Sequence, residues 1–353
     1  DQIGFVYSNK IGNNTSLRFV NFGFNYHKSK NFNRLFSMGG ALDNMSQSFQ
    51  LAQEMERYGL TESEFNDILD AKNPYTKYWN QLPVLGVMGV RTGVVDWFND
   101  PEKNIHAPWG WNGFNNNFFS KETGGISQYD FNVSFNIEDR VYLGATLGVY
   151  DVNYDRYTSY TENLNDDKGA DNGGYTLDNY YRLEGTGMDL KLGVIVRPIE
   201  SSPFRLGFAV HTPTWYDLRE SYNATLSSDI LAYEKPYIQT LSDFLVTPEY
   251  DYLTYDYNLT TPWKFNVSAG TTFAGAVAVG AEYEYQDYSS SKLKDVDGYE
   301  LGDQPSVENY LKGVHTFRIG METRIIPEFS IRAGYNYSSA AFSKDAYSAL
   351  SLY

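Results

Sequence analysis

The sequence predicts an all-β protein: an antiparallel, up-and-down β-barrel that spans a membrane, with short helices in one long external loop. Three observations predict it. Segments of the chain pair as hairpins that are apolar on one side only, the connections between them alternate short and long, and aromatic residues reach 17% of the 353 residues. The 31 Tyr among those aromatics suit a surface that is partly apolar and partly wet, as at the two rims of a membrane barrel.

The hairpin SQYDFNVSFNIEDRVYLGATLGV carries the first observation. Taken two at a time, Tyr129, Phe131, Val133, Phe135 and Ile137 share a face, and after Glu138, Asp139 and Arg140 so do Val141, Leu143, Ala145, Leu147 and Val149. About ten such strands can be read. QIGFVYSN and LRFVNFGFNYHK come before this hairpin. TGMDLKLGVIVRP, FRLGFAVHT, WKFNVSAGT, AVAVGAEYEYQ, FRIGMETR and FSIRAGYNY follow it. The opposite faces carry Asp189, Lys191, Arg205, Glu282, Glu284, Arg318, Glu322 and Arg332 among many glycines. A sandwich could also put those charges in water, but it rarely joins strands with such a regular rhythm of connections. The short spacers are IGNNTS, IEDR, PIESSP, FAG and IIPE, and the long ones fall at 29–125, 156–180, 219–255 and 287–313. Up-and-down order gathers the short turns at one end and the long loops at the other, the pattern of periplasmic turns and extracellular loops. The whole chain, 1–353, therefore reads as one barrel domain, and 29–125 as a long extracellular excursion.

Within that excursion, Leu51, Met55 and Tyr58 form a helical stripe, and Thr61 with Glu64 has capping-box spacing before Phe65, Ile68 and Leu69. Two short helices are expected. They either pack together as a cap on the barrel mouth or help form a ligand groove with the apolar stretch 84–95. For the second alternative the candidate ligand-binding residues are Val84, Leu85, Val87, Met88, Trp109, Trp111 and Phe114, since a hydrophobic molecule arriving from outside needs an apolar landing site.

Composition excludes several functions. With 44 acids against 28 bases the formal charge is −16, which disfavours nucleic acid. There is no cysteine, hence no disulfide framework and no thiol nucleophile. His27, His106, His211 and His315 form no metal-ligand spacing, and no nucleophile-elbow motif occurs, so no enzyme, cofactor or metal is expected. The acidic, Gly-containing stretches 165–174 and 295–300 fit no EF-hand register and read as solvated turns. No run of about 18 apolar residues exists, so no helix is expected to span a bilayer.

FRLGFAVHTPTWY, TPWKFNVSAGTTFAGAVAVGAEYEYQDYSS and HTFRIGMETRIIPEFSIRAGYNY resemble the FadL/TodX family of outer-membrane transporters, particularly divergent members from Bacteroidota often labelled hemin receptors. The shared features are Pro213 and Pro262 beside amphipathic hairpins, Pro327 at a turn, and Arg332 through Tyr335. The resemblance implies a 14-stranded barrel with an N-terminal plug, passive uptake of small hydrophobic molecules such as long-chain fatty acids, and sideways exit through a kinked strand. On that alignment the kinked strand is 17–28, with Asn21, Phe22 and Gly23 as the lateral opening. The plug and four strands are not in this sequence, so the chain is expected to continue beyond both ends. The partners implied are outer-membrane lipid and lipopolysaccharide, a hydrophobic small molecule, and other outer-membrane proteins. The alternative function is a scaffold or accessory barrel of a larger secretion or assembly complex.

Overall fold

The computed structural model describes residues 2–12, 14–43, 45–72, 77–78, 81–100, 105–166, 168–232, 236–240, 253–326 and 328–346. Pro327, expected at a turn, lies outside them.

The wall is one antiparallel sheet in the order β1 (Gln2–Lys10), β2 (Leu17–Asn31), β6 (Asn112–Ile137), β7 (Val141–Asn165), β8 (Asp171–Val196), β9 (Arg205–His211), β13 (Lys264–Phe273), β14 (Val277–Asp287), β16 (Gly313–Ile326) and β17 (Phe329–Ser338). These are the ten strands read from the sequence. They follow chain order around the sheet, with the short turns gathered at one end. Among the described residues, β1 pairs only with β2 and β17 only with β16.

One face of this wall is an apolar belt that the chain leaves uncovered. Phe131, Leu143, Leu147, Leu190, Leu192, Phe208, Phe265, Val267, Phe317 and Ile319 are all exposed. They are cross-strand neighbours, as in Phe131↔Leu147↔Leu190 and Phe208↔Val267. A contiguous apolar surface this large is untenable in water, and it suits the outer face of a transmembrane wall. On β7 the belt runs from Val141 to Val149, about the nine residues that a tilted strand needs to cross a bilayer. No helix among the described residues is long and apolar enough to do so.

Several strands continue far beyond the belt at the long-loop end. β7 and β8 stay paired from Val141↔Val196 to Asn165↔Asp171. The stretch 156–180, expected as a connection, is therefore ladder, and its turn is confined to a few residues after Asn165. Tyr157, Thr158, Tyr160, Thr161, Tyr175, Thr176 and Tyr180 along it favour strands without marking a lipid face. β3 (Arg34–Ala41) continues β2 along β6, β10 (Trp215–Ser228) continues β9 along β8, and β12 (Leu253–Thr260) runs beside β10. The excursion expected at 29–125 is accordingly narrower, since 34–41 and 112–125 belong to the wall.

The part of the excursion that leaves the sheet holds α1 (Gln47–Arg57), α2 (Glu62–Asp70), α3 (Val84–Thr92) and the hairpin β4 (Val95–Asp100)–β5 (Ile105–Gly110). Ser46 caps α1, and Thr61 with Glu64 closes the expected capping box on α2. The apolar stretch from Val84 is a third helix, started by Pro83 and stopped by Gly93 in the left-handed region at φ 72°. Arg91 Nη1 donates to the carbonyls of Ile68, Leu69 and Ala71, so α3 supplies a cation to the end of α2. Met55, Ile68 and Met88 are fully buried between the helices, and Gly86 gives the Met55 thioether room that a Cβ would fill. The helical unit sits on the far tips of the strands, against Leu164, Leu177 and Leu226.

Candidate functional site

The wall exchanges the polarity of its two faces partway up. On the outer face of β7, Leu147 and Val149 give way to Asp151, Asn153 and Asp155, and on β8 Leu190 and Met188 give way to Thr186, Glu184 and Arg182. The inner face changes in the opposite sense. At belt level it carries Asn132, Thr146, Lys191, Asp189 and Asp130, whereas above it Val152, Tyr154, Leu183, Tyr181, Leu218 and Tyr222 predominate, with Glu122, Arg156 and Glu220 set among them. The burial of β10 records the change residue by residue: Trp215, Asp217 and Arg219 are exposed, while Leu218, Ala224 and Leu226 are buried. The alternation of the strand continues unbroken, and only the environments on its two sides change.

At belt level the inner face is tied together by ions and hydrogen bonds. Lys191 Nζ lies 3.1 Å from Asp130 and 3.6 Å from Asp189, both buried, and Tyr150 Oη donates to Asp189 at 2.7 Å. Gln128 Nε2 donates to Asp130 at 2.8 Å, and His27 Nδ1 is 3.9 Å from the same carboxylate. Farther round, Arg318 binds Glu282 and, at 3.2 Å, Glu284, which also faces Lys264 at 3.8 Å. Buried charges persist only when paired in this way. A pure hydrocarbon finds no welcoming surface on this part of the wall.

The exchange of faces coincides with a double interruption of the ladder. His211 pairs with Lys264 and Trp215 with Thr260, which puts Pro213 directly opposite Pro262. Neither proline has an N–H to donate. Threonine side chains take up the backbone donors left over. Leu190 N–H donates to Thr212 Oγ1 at 3.0 Å and Thr214 N–H to Thr261 Oγ1 at 2.8 Å, while Thr261 N–H keeps a bond to the Thr214 carbonyl at 3.0 Å. Trp215 and Trp263, just beyond the prolines, stand exposed on the outer face, as indoles do at a water–lipid boundary. The Thr-Pro pairs are visible in the sequence, but their opposition follows only from register.

Above the belt the inner face is rich in tyrosine, and burial raises the phenols further above their ordinary value. The Tyr181 hydroxyl is pushed up by burial and by its hydrogen bond to Glu220, and Tyr222 is pushed up by burial to about 12. At the top, burial and the neighbouring Glu162 carboxylate raise Tyr175 as well. Glu162 is fully buried and accepts from Tyr160 and Tyr175, each at 2.7 Å, and from the Gln47 N–H that opens α1, at 3.1 Å. This carboxylate therefore holds the helical unit onto the strand tips, with the positive end of α1 facing it.

The residues expected at a landing site fall into two groups. Val87, Met88 and Trp111 are buried in the helical core, and Trp111 Nε1 donates to the Gly93 carbonyl at 2.8 Å. Val84, Leu85 and Trp109 pack at the edge of that core and keep some exposure, as does Phe114 on β6. At the expected lateral opening, Asn21, Phe22 and Gly23 pair without interruption, with Ser8, Tyr7 and Val6 on one side and Ser134, Val133 and Asn132 on the other. The irregularities of β2 lie instead between Leu17 and Phe19 and between Lys28 and Lys30. Beside Gly23, a shallow apolar cleft of about 660 Å³ opens between Phe5, Phe22, Phe24, Phe131 and Val133. Among the described residues, no group of three or more His, Asp or Glu is arranged to hold a metal ion.

No family model matches the sequence, and no curated protein matches it. Among solved structures, the chain is similar to the toluene transporter TodX of Pseudomonas putida, with 12% identity and a TM-score of 0.42 over 97% of this chain and 68% of that one. It is also similar to a TodX deltaS2S3 mutant described as a monoaromatic hydrocarbon channel, with 11% identity and a TM-score of 0.39 over 98% and 74% of the two chains. At these values the fold stands on the strand register, and TodX is a transporter of the FadL family, the one the sequence resembles.

Proposed function

We propose that this chain forms an outer-membrane barrel for the passive uptake of small hydrophobic molecules. The observation that carries the reading is the largely apolar inner face above the belt, where Val152, Tyr154, Tyr181, Leu183 and Leu218 stand together with Arg156 and Glu220 beside them. An inner wall that met only water would need no such lining. Removing apolar surface of a cargo from water against it yields about 25 cal/mol per Å². A few contacts thus give weak capture, which suits a wall that must also release. Val84, Leu85 and Trp109, at the edge of the helical core, extend the landing surface outward. Long-chain fatty-acid-like molecules are the cargo proposed.

Cargo captured there meets the ion-paired zone around Lys191, Asp130 and Asp189 if it continues straight down the wall. A sideways exit avoids that zone. Pro213 opposite Pro262 favours an exit at that level, since fewer backbone hydrogen bonds join the strands there, while Phe22 and Gly23, next to Asn21, border an apolar cleft on the outer side of the wall. The test is uptake of a radiolabelled long-chain fatty acid and of toluene by vesicles containing the protein. Tyr154→Ser and Leu183→Ser should slow uptake severalfold, and Asn153→Ser, on the outer face next to Tyr154, should not. Uptake no faster than in protein-free vesicles defeats the proposal.

The ion-paired inner face at belt level favours a second reading, a scaffold barrel in a larger outer-membrane assembly. That reading expects no uptake, together with co-purification of a stable partner from native membranes.

A further inference from the structure

Above the belt, the outer face carries a row of aromatic rings that neither the lipid contact nor the proposed uptake uses. Phe119 of β6, Tyr157 of β7 and Tyr180 of β8 stand side by side, with centroids 6.1 Å and 4.9 Å apart. The Tyr157 and Tyr180 rings are inclined by 35°, and Tyr180 is exposed. Tyr157 and Tyr180 floor a cleft of about 440 Å³ lined also by Lys121, Asp155, Arg156, Arg182, Glu184 and Ser221, and Phe119 extends the row of rings beyond it. Internal bonds fix the floor and rim: Tyr157 Oη donates to Asp178 at 2.8 Å, and Arg182 Nε donates to Asp155 at 2.9 Å. The site is thus an aromatic platform with cations, carboxylates and hydroxyls set around it.

We propose that this cleft binds an oligosaccharide, supplied by the glycolipid of the surrounding leaflet. A pyranose ring presents C–H patches on its faces and hydroxyls around its edge. Tyrosine rings complement the faces, and the rim of Lys121, Asp155, Arg182 and Ser221 complements the edge. A hydrocarbon has no use for that rim, which mixes cations with carboxylates and so lacks the cation cluster that a nucleic acid requires. Position decides the source. Tyr157 lies eight residues beyond Val149 at the top of the belt, roughly 26 Å along the strand. With the strand tilt of membrane barrels this is roughly 20 Å above the hydrocarbon edge. Acyl chains do not reach that height, whereas the sugars of a glycolipid leaflet do. The outer wall thus has two zones, an apolar belt for the acyl chains and an aromatic shelf for the sugars above them.

The test uses the full chain in detergent with four probes: rough lipopolysaccharide bearing its core sugars, lipid A without core, the delipidated core oligosaccharide, and that oligosaccharide after phosphatase treatment. Wild-type protein should bind rough lipopolysaccharide more tightly than lipid A. Tyr180→Ala and Tyr157→Ala should each weaken that binding about tenfold, leave lipid A binding unchanged, and retain normal far-UV circular dichroism. Tyr180→Trp should preserve binding, and Tyr299→Ala, an exposed tyrosine elsewhere, should have no effect. Tight binding of the delipidated oligosaccharide in preference to the lipopolysaccharide overturns the leaflet as source. Equal affinity for rough lipopolysaccharide and lipid A, unaltered by either alanine variant, overturns the saccharide site. Binding that vanishes on phosphatase treatment also overturns it, since the site then reads phosphate. Fatty-acid uptake by Tyr180→Ala is measured in parallel and should stay normal, so that failure here and failure of the uptake reading remain distinct.

Discussion

The lower and upper halves of β7 have the same backbone, the same neighbours and the same alternation, yet opposite chemistry. From Val141 to Val149 the outer side chains are apolar and the inner ones are Tyr142, Gly144, Thr146 and Gly148. From Asp151 onward the outer side carries Asp151, Asn153 and Asp155, and the inner side Val152, Tyr154 and, at the tip, Leu164. The lower half has an exposed apolar belt outside, suited to lipid, and a polar inner side. The upper half has water outside and, at its tip, a helical core inside. The lesson is that alternation identifies a strand, while the side that carries the apolar residues identifies its solvent.

Arginine substitutions separate the two halves most sharply. Leu164→Arg puts an unpaired cation into the core beneath the helices, where Leu164 is fully buried, and should cost more than about 3 kcal/mol. The helical unit should then become sensitive to limited proteolysis while the belt strands stay protected. Full protection would mean that the strand tips and the helices do not share a core. Leu143→Arg should cost about 2–4 kcal/mol in a bilayer refolding assay, because its neighbour is lipid. Thr146→Arg on the inner side should cost much less, and Asn153→Arg on the upper outer side should stay within about 0.5 kcal/mol. Equal penalties at Leu143 and Asn153 would erase the distinction between the halves.

Tyr175→Phe probes the junction itself. It removes one of the donors that Glu162 accepts and should cost about 1–3 kcal/mol, seen as faster hydrogen exchange in α1. A smaller effect is expected from acid. The hydrogen bond from Lys77, and then that from Tyr78, hold the Asp67 carboxyl below its ordinary value. A depressed folded-state value means that this clasp contributes fully above the ordinary carboxylate range and is lost as pH falls through the folded-state value. Amide exchange at the end of α2 should quicken only under such acid conditions, and a change already complete near neutrality would contradict the assignment.

The belt was legible in the sequence because lipid demands one apolar face over a fixed length. All ten strands crossing it could be read, with the rhythm of their connections. The upper extensions resemble loops in sequence because their outer residues turn polar, and nothing local marks Tyr154, Tyr160, Tyr175 and Tyr181 as an inner face. The capping box at Thr61 and Glu64 is legible because it is local, whereas α3 is not, since three valines and two glycines carry no strong helical signal. Partnerships set by register were least accessible. Pro213 opposite Pro262, and Glu162 beneath Gln47, bring together residues 49 and 115 positions apart.

The absence of cysteine permits the most direct test. Single cysteines placed at each position from 141 to 164 can carry a nitroxide label in the bilayer-reconstituted protein. Accessibility to oxygen should then be high at Leu143, Ala145, Leu147 and Val149, and the same face should become accessible to a water-soluble nickel chelate from Asp151 onward. A label at Leu147 that meets the chelate as freely as one at Asn153 would contradict the exchange of faces and the membrane wall built on it.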